Sequence, residues 1–175
     1  MKVILCHTPG AAERMLTLSM HSSTIIECMP SSVNVLNTGF GPSPSKETLE
    51  LFTDMLSYAF KPVSDFKLEP SSLCKGLQHY KVPCDEFDVL RARLEPKQSV
   101  NVFDGINTKT LDGVAVLVCI NGIGQVKGRR SDSDREDHFD LSSGTAVLIS
   151  NQTSIALTAG AEDLECFVAF FNANA

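Results

Sequence analysis

Residues 86–94 read EFDVLRARL and residues 114–120 read VAVLVCI, and these two stretches decide the predicted fold. In the first stretch apolar residues alternate with charged ones, which is the period of a β-strand with one buried face. The apolar phase slips by one residue between Val89 and Leu90, and a β-bulge would explain the slip. The second stretch is apolar throughout, which predicts a strand covered on both faces.

Turn signals and further strands surround these two stretches. Asn121-Gly122 directly follows the second one and is the strongest short signal for a β-hairpin, because a type I′ turn needs positive φ at both central residues. Further strands are predicted at residues 144–150, 154–158 and 164–171. Short strands joined by close turns, with no helix between them, predict a mainly β protein built as an antiparallel sandwich or jelly roll.

One helix is predicted before the strands, at about residues 44–60. Pro44 suits a first helical position after Ser43 as the cap, and apolar residues then recur at three- and four-residue spacing. The expected role of this helix is to pack on the β domain. The predicted organisation has three zones: an irregular segment at 1–43, a helix and connector at 44–85, and a β domain at 86–175.

Composition limits the class of protein. The 175 residues include 15 Lys and Arg against 21 Asp and Glu, a net charge of −6, which disfavours nucleic-acid binding. No window of about 20 predominantly apolar residues is present, so no membrane helix is predicted, and the short apolar run at residues 3–6 does not fit a signal peptide. The six Cys include no CxxC pair, which is typical of reduced core thiols and favours a cytoplasmic protein.

A charged segment separates two of the predicted strand regions. Residues 127–140 read KGRRSDSDREDHFD, with charges of both signs throughout. Such a pattern favours a solvated hairpin loop. An alternative stays open, because Ser131 and Ser133 are flanked by charge in the manner of kinase targets.

Local motifs do not identify a catalytic site. The four His are scattered through the chain, and none forms a His-x-His pair for a metal. The sequence contains neither a phosphate-binding glycine loop nor a Gly-x-Ser-x-Gly elbow. Residue chemistry alone therefore predicts a mostly β domain without a defined activity.

Several clusters along the chain resemble one family in order and spacing. Residues 25–29 read IIECM, residues 31–35 read SSVNV, and residues 55–58 read MLSY at the end of the predicted helix. They are similar to the Ile-Glu-Cys-Met, Ser-Asp-Asn-Val and Met-Leu-x-Tyr segments of type I mannose-6-phosphate isomerases. Weaker similarity continues at residues 80–90 and 164–170, so the resemblance covers about residues 25–171.

The resemblance implies a fold, an activity and a cofactor. That family is built from cupin jelly rolls. Its members interconvert mannose 6-phosphate and fructose 6-phosphate with the help of one zinc ion. The reaction contributes to GDP-mannose biosynthesis in the cytoplasm. By this resemblance the chain corresponds to the C-terminal part of such an enzyme, and Glu27 lines the active site.

The chain also departs from the family pattern. The family's last zinc-ligand His falls at the position of Leu18, so His21 is a candidate zinc ligand only if residues are deleted between it and Glu27. Asn37 occupies the position of a family Arg, and Ser43 that of a family Lys. Asn supplies neither the fixed charge nor the forked donors of a guanidinium.

Two hypotheses are consistent with these residues. In the first, the chain is mannose-6-phosphate isomerase-like with an incomplete active site, does not hold zinc alone and has no turnover alone. In the second, it is a non-catalytic cupin module that binds a sugar phosphate or a protein partner. Loss of one cupin half would uncover apolar surface, which favours self-association.

Overall fold

The computed structural model describes residues 2–5, 25–28, 46, 50, 53, 54, 68–82, 87–103, 106 and 113–171. The chain divides into two compact units, residues 1–68 and residues 69–175, and each is described by itself.

The first unit contains a parallel strand pair and helical residues. β1 (Lys2–Leu5) pairs with β2 (Ile25–Cys28). Within the predicted helix at 44–60, the four described residues are helical and exposed. They are Lys46, Glu50, Thr53 and Asp54. Lys46 Nζ lies 3.6 Å from Glu50 Oε1, the i,i+4 contact of a helix surface. The helix prediction is confirmed at these positions, and its apolar packing face lies outside the described residues.

The second unit is built from strands. In chain order they are β3 (Ser71–Cys74), β4 (Leu77–Tyr80), β5 (Asp88–Leu94), β6 (Ser99–Asn101), β7 (Ala115–Asn121), β8 (Ile123–Arg130), β9 (Glu136–Ser142), β10 (Ala146–Ile149), β11 (Thr153–Ala159) and β12 (Leu164–Phe170).

These strands form two antiparallel sheets. One has the order β10-β7-β12-β5-β4-β3, and the other has the order β6-β11-β8-β9. Many spatial neighbours are far apart in chain order, which is the crossing connectivity of a jelly roll. Buried side chains from both sheets form one cluster, so the sheets pack face to face. The predicted cupin-type antiparallel jelly roll is confirmed.

Alternation along the strands decides which side chains enter the core. In β11 every second residue is buried, including Ile155 and Leu157, and the residues between them are half-buried. In β12 the side chains of Leu164, Cys166 and Val168 join the same cluster. Full burial of one such aliphatic side chain contributes about 1.5–3 kcal/mol, so this cluster stabilises the packing of the two sheets.

The phase slip in β5 has a different cause from the predicted one. Pairing of β5 is continuous through Val89 and Leu90 with both neighbouring strands, so the predicted β-bulge is wrong. Asp88 lies on the core side in line with Leu90 and is fully buried, while Val89 is buried on the opposite face. A register shift occurs instead between Glu165 and Cys166, where β12 pairs with β7.

The continuous apolar stretch forms β7, but only one of its faces is covered. Ala115 and Leu117 are buried, whereas Val114 is 60% and Val116 is 43% exposed. Val116 lies opposite Leu148 of β10, which is itself exposed. The prediction of a strand covered on both faces is wrong, because an unbroken apolar run does not reveal which face meets the second sheet.

Asn121-Gly122 marks a crossing between the sheets. β7 belongs to the six-stranded sheet and β8 to the four-stranded sheet, so the predicted β-hairpin is wrong. Gly122 has a φ of 89°, and a Cβ at this position would collide with the carbonyl oxygen of Asp163. The glycine therefore signals positive φ and a close backbone approach, which here serve a change of sheet.

The charged segment forms the hairpin of β8 and β9. Its residues 129–140 are all exposed, which confirms the predicted solvated hairpin. In the described part of the chain, no helix combines the length and the apolar character that crossing a membrane requires.

Candidate functional site

The site residues predicted from the resemblance lie in the first unit. Glu27 is in β2, directly opposite Ile4 of β1. His21 and Asn37 lie outside the described residues. The structure therefore gives Glu27 a place on a strand and does not test the grouping of these three residues.

The described residues do not fit a zinc centre. In this part of the chain, no three His, Cys, Asp or Glu side chains converge as a metal site would require, whereas zinc takes three or four such ligands. His138 lies 3.2 Å from Glu136 on the exposed hairpin. His79 contacts Asp88 in the core sheet.

The pair of His79 and Asp88 is a polar group inside the sandwich. Asp88 Oδ2 lies 3.0 Å from His79 Nε2, and Asp88 Oδ1 accepts a hydrogen bond from the backbone N–H of Val82 at 3.0 Å. The His79 ring lies against Phe170, with 6.2 Å between centroids. A buried carboxylate is tolerated when its oxygens have partners, so this pair joins β4, the segment after it and β5.

Reasoning from the sequence missed this pair, although a signal was present. Asp88 occupies a core-phase position of a strand, where a charged residue is costly. An acid at such a position predicts a buried partner. The sequence does not show that the partner is His79, because that residue belongs to another strand.

A cavity of ≈ 460 Å³ opens between the sheets beside the β8–β9 hairpin. Its apolar lining includes residues from the inner faces of four strands, Val126, Phe139, Val147, Ile149 and Ile155, together with the exposed Leu148. Gly128 leaves space in the cavity that a side chain could occupy. A Cβ placed there would lie 3.6 Å from Thr153 Cγ2, which is an ordinary contact distance. The volume lies within the range of about 300–1,000 Å³ that is typical of small-molecule pockets.

Two ion pairs border the mouth of this cavity. Arg130 Nη2 lies 2.7 Å from Asp132 Oδ2, and Arg135 Nε lies 2.9 Å from Asp137 Oδ1. At least half of each side chain is exposed. The charges of these two pairs balance, and each guanidinium carries five N–H donors of which these contacts use few. The mouth therefore offers hydrogen-bond donors and acceptors to a polar ligand.

Two thiols face each other in the core and take no part in the cavity. Cys119 and Cys166 are directly opposite on β7 and β12, and both are free and fully buried. Burial raises the pKa of both thiols, so both stay protonated at neutral pH. These two residues lie in the core, as the sequence predicts, whereas Cys74 is exposed.

Comparison with known proteins gives consistent relatives. No family model matches the chain. The chain is 32% identical over 147 residues to a mannose-6-phosphate isomerase of Ogataea parapolymorpha, a match that covers 81% of this chain and 32% of that protein. It is 28% identical over 170 residues to the mannose-6-phosphate isomerase of Schizosaccharomyces pombe, covering 93% of this chain and 38% of that protein. The chain thus spans about a third of the length of the curated relatives it matches.

A solved structure agrees with the fold. The structure of CapF with an inhibitor matches 73% of this chain and 36% of that chain, with a TM-score of 0.50 and 16% sequence identity. At this identity the likeness concerns the fold alone, and it agrees with the two-sheet jelly roll. The similarity in sequence is what carries the family assignment. By sequence, the chain belongs with the mannose-6-phosphate isomerases, as a divergent relative of one part of them.

Proposed function

We propose that the chain is a mannose-6-phosphate isomerase-like protein, corresponding to the C-terminal part of these enzymes, with an active site that is incomplete within its own residues. The observation that carries the proposal is the 32% identity to an enzyme of that name over 81% of the chain. Because the chain spans about a third of such relatives, interconversion of mannose 6-phosphate and fructose 6-phosphate is proposed for a longer protein or an assembly.

The chemistry of the exchange explains why the chain is expected to be inactive alone. An aldose–ketose exchange needs a base that moves a proton between adjacent carbons and an electrophile that polarises the carbonyl. Glu27 is proposed to face the sugar, and His21 is the candidate ligand of a zinc electrophile. Asn37 replaces a guanidinium, and the described residues add no further metal cluster. A cytoplasmic location is proposed with this function, in keeping with the buried position of two free thiols in the core.

The test combines metal analysis with a coupled isomerisation assay on the purified chain. We expect less than one zinc per chain and no turnover of mannose 6-phosphate above background, while a full-length isomerase of the family turns over in the same assay. Zinc-dependent turnover by the chain would overturn the proposal that its active site is incomplete. In that case the variants Glu27→Gln and His21→Ala would identify the residues responsible.

A second candidate function is a non-catalytic module that binds a sugar phosphate, and the cavity beside the hairpin favours it. Gly128→Val would fill this cavity with a side chain suited to a strand. Gln125→Val is the matched control, because Gln125 is exposed on the opposite face of β8. We expect calorimetric binding of mannose 6-phosphate to survive Gln125→Val and to be lost in Gly128→Val. Absence of binding to the unsubstituted chain would exclude this function.

A further inference from the structure

The tip of the β8–β9 hairpin presents two serines in different backbone settings. The Ser131 N–H donates to Gln152 O at 2.9 Å, which extends the pairing of β8 with β11. Ser133 lies beyond this ladder in the turn, where its N–H bonds to Arg130 O at 3.3 Å and its Oγ accepts the Arg135 N–H at 3.1 Å. Both serines are exposed, and Ser133 is the one at the free end of the hairpin.

The charges around the two serines also differ. Ser131 directly follows Arg129 and Arg130, whose positive charge would repel the basic binding cleft of a kinase that selects acidic substrates. Ser133 lies between Asp132 and Asp134, and further acids follow at residues 136 and 137, so four acids outnumber the three nearby arginines at residues 129, 130 and 135. Partner choice in such encounters depends on charge complementarity between the substrate segment and the cleft. The pattern after Ser133 therefore suits an acid-directed serine/threonine kinase.

A phosphate on Ser133 would find cationic partners close by. Ser133, Arg130 and Arg135 border the mouth of the same cavity, and both arginines already contact Ser133 through their backbone. Their side chains are paired with Asp132 and Asp137 in exposed ion pairs, which are weakly held. A phosphate carries nearly two charges and three acceptor oxygens, so it competes favourably with a single carboxylate for a guanidinium.

We propose that Ser133 is a phosphorylation site for an acid-directed serine/threonine kinase, and that the phosphate recruits the guanidinium groups of Arg130 and Arg135 at the cavity mouth. In the transfer, Ser133 Oγ attacks the γ-phosphorus of ATP. The new O–P bond forms as the bond between this phosphorus and the β,γ-bridging oxygen breaks, ADP leaves, and the hydroxyl proton passes to the carboxylate base of the kinase. The modification adds negative charge at the rim of the cavity.

The site is tested with the purified chain, an acid-directed serine/threonine kinase and magnesium ATP, followed by intact mass and peptide mapping. We expect one phosphate on the unsubstituted chain and on Ser131→Ala, and none on Ser133→Ala. Transfer to Ser131 alone would overturn the proposal, as would no transfer when an acidic control peptide is phosphorylated in parallel. The readout is independent of any isomerase activity.

The recruitment of arginine is tested by phosphorus NMR of the phosphorylated chain. The second ionisation of a free phosphoserine has a pKa of about 6, and a neighbouring guanidinium lowers it. The acids beside Ser133 raise this pKa in every variant, so the contribution of the guanidinium is the difference between variants, and we expect a higher pKa in Arg135→Gln than in the unsubstituted phosphorylated chain. Arg93→Gln, an exposed arginine of β5, serves as the control and leaves the pKa unchanged. An equal pKa in all three proteins would overturn the recruitment of Arg135.

Discussion

The centre of the six-stranded sheet and the β8–β9 hairpin both contain short ion pairs, in opposite surroundings. Arg91 Nη2 lies 2.6 Å from Glu165 Oε1, and only 16% of each side chain is exposed. Arg130 and Asp132 approach to 2.7 Å, but more than half of each side chain is exposed. The distances are nearly equal, so distance does not rank these pairs. Solvent exposure ranks their contributions to stability instead, because water screens the charges of the hairpin pair and competes for its hydrogen bonds.

The pKa of Arg91 reflects its surroundings. Burial opposes the charged form, but the hydrogen bond and the attraction of Glu165 outweigh it, so the pKa is raised above its ordinary value. The guanidinium also lies over the ring of Phe167, 5.9 Å from the centroid. The pKa of Arg91 is higher in the folded state than in the unfolded state. Its contribution to stability is therefore fully present below the pKa of the unfolded state and is lost only as the pH rises above it. The contribution of the Arg91 charge is therefore constant across neutral pH.

The largest effect is expected at Asp88, whose side chain is fully buried. Asp88→Ala removes the partner of His79 and of the Val82 N–H, and we expect a loss of about 3–5 kcal/mol in the free energy of unfolding. Asp88→Asn keeps the shape and an acceptor, so it should cost less. Urea unfolding of both variants measures the difference. A cost for Asp88→Ala below that of an exposed hairpin substitution would contradict a ranking by burial.

A smaller loss is expected at the mostly buried pair of Arg91 and Glu165 in the same sheet. Arg91→Met keeps apolar contact with Phe167 but leaves Glu165 without its guanidinium, and we expect a loss of about 1–3 kcal/mol. The double variant Arg91→Met/Glu165→Gln should recover part of this loss, because it removes the unpaired charge. Additive losses in a double-mutant cycle would show that the two side chains do not interact energetically.

The core thiols extend the comparison to alkaline pH. Burial raises the pKa of Cys119 and Cys166 above the ordinary value of 9.0, so above this pH the unfolded chain loses protons that the folded chain retains. Stability is therefore complete below about pH 9 and falls as pH rises, by up to about 1.4 kcal/mol per pH unit for each thiol. Unfolding between pH 8 and 10 tests this slope.

The control for the thiol prediction is the exposed Cys74. We expect Cys119→Ala/Cys166→Ala to flatten the alkaline slope relative to the unsubstituted chain, and Cys74→Ala to leave it unchanged. A thiol reagent should modify Cys74 in the folded protein and the two core thiols only after unfolding. Rapid modification of Cys166 in the folded state would contradict the burial of this pair.

Strand alternation made much of the β domain predictable. The patterns of β11 and β12 largely report burial, because Ser154, Thr158 and Glu165 lie on the outer face, whereas Thr153 is a buried polar exception. Asp88 interrupts the alternation of apolar and charged residues in β5. Its carboxylate can be buried there because it has partners in His79 of β4 and in the N–H of Val82, which follows β4. The sequence cannot distinguish a hairpin from a crossing at Gly122, because both a tight turn and a crossing between sheets use a residue with positive φ.

The candidate site was less predictable for a physical reason. Glu27 and His21 are proposed from a resemblance, and no spacing within the sequence reports how such residues converge. The cavity is bounded by side chains from several strands, and Gly128 contributes by the side chain that it lacks. Of the parts that border the cavity, the sequence predicts only the charged hairpin at its mouth, because the charge pattern of a solvated loop is local in sequence.

The smallest effect is expected at the hairpin. Arg130→Gln removes the contact with Asp132, and we expect a loss of about 0.5 kcal/mol or less, because both side chains are solvated in either state. Asp132→Asn is the matched variant, and added salt should reduce both differences. Urea unfolding in low and high salt measures them. A loss at Arg130 as large as that at Arg91 would mean that the hairpin pair supports the fold. A negligible loss instead leaves Arg130 free to exchange one anionic partner for another, which is the property that the proposed phosphate on Ser133 requires.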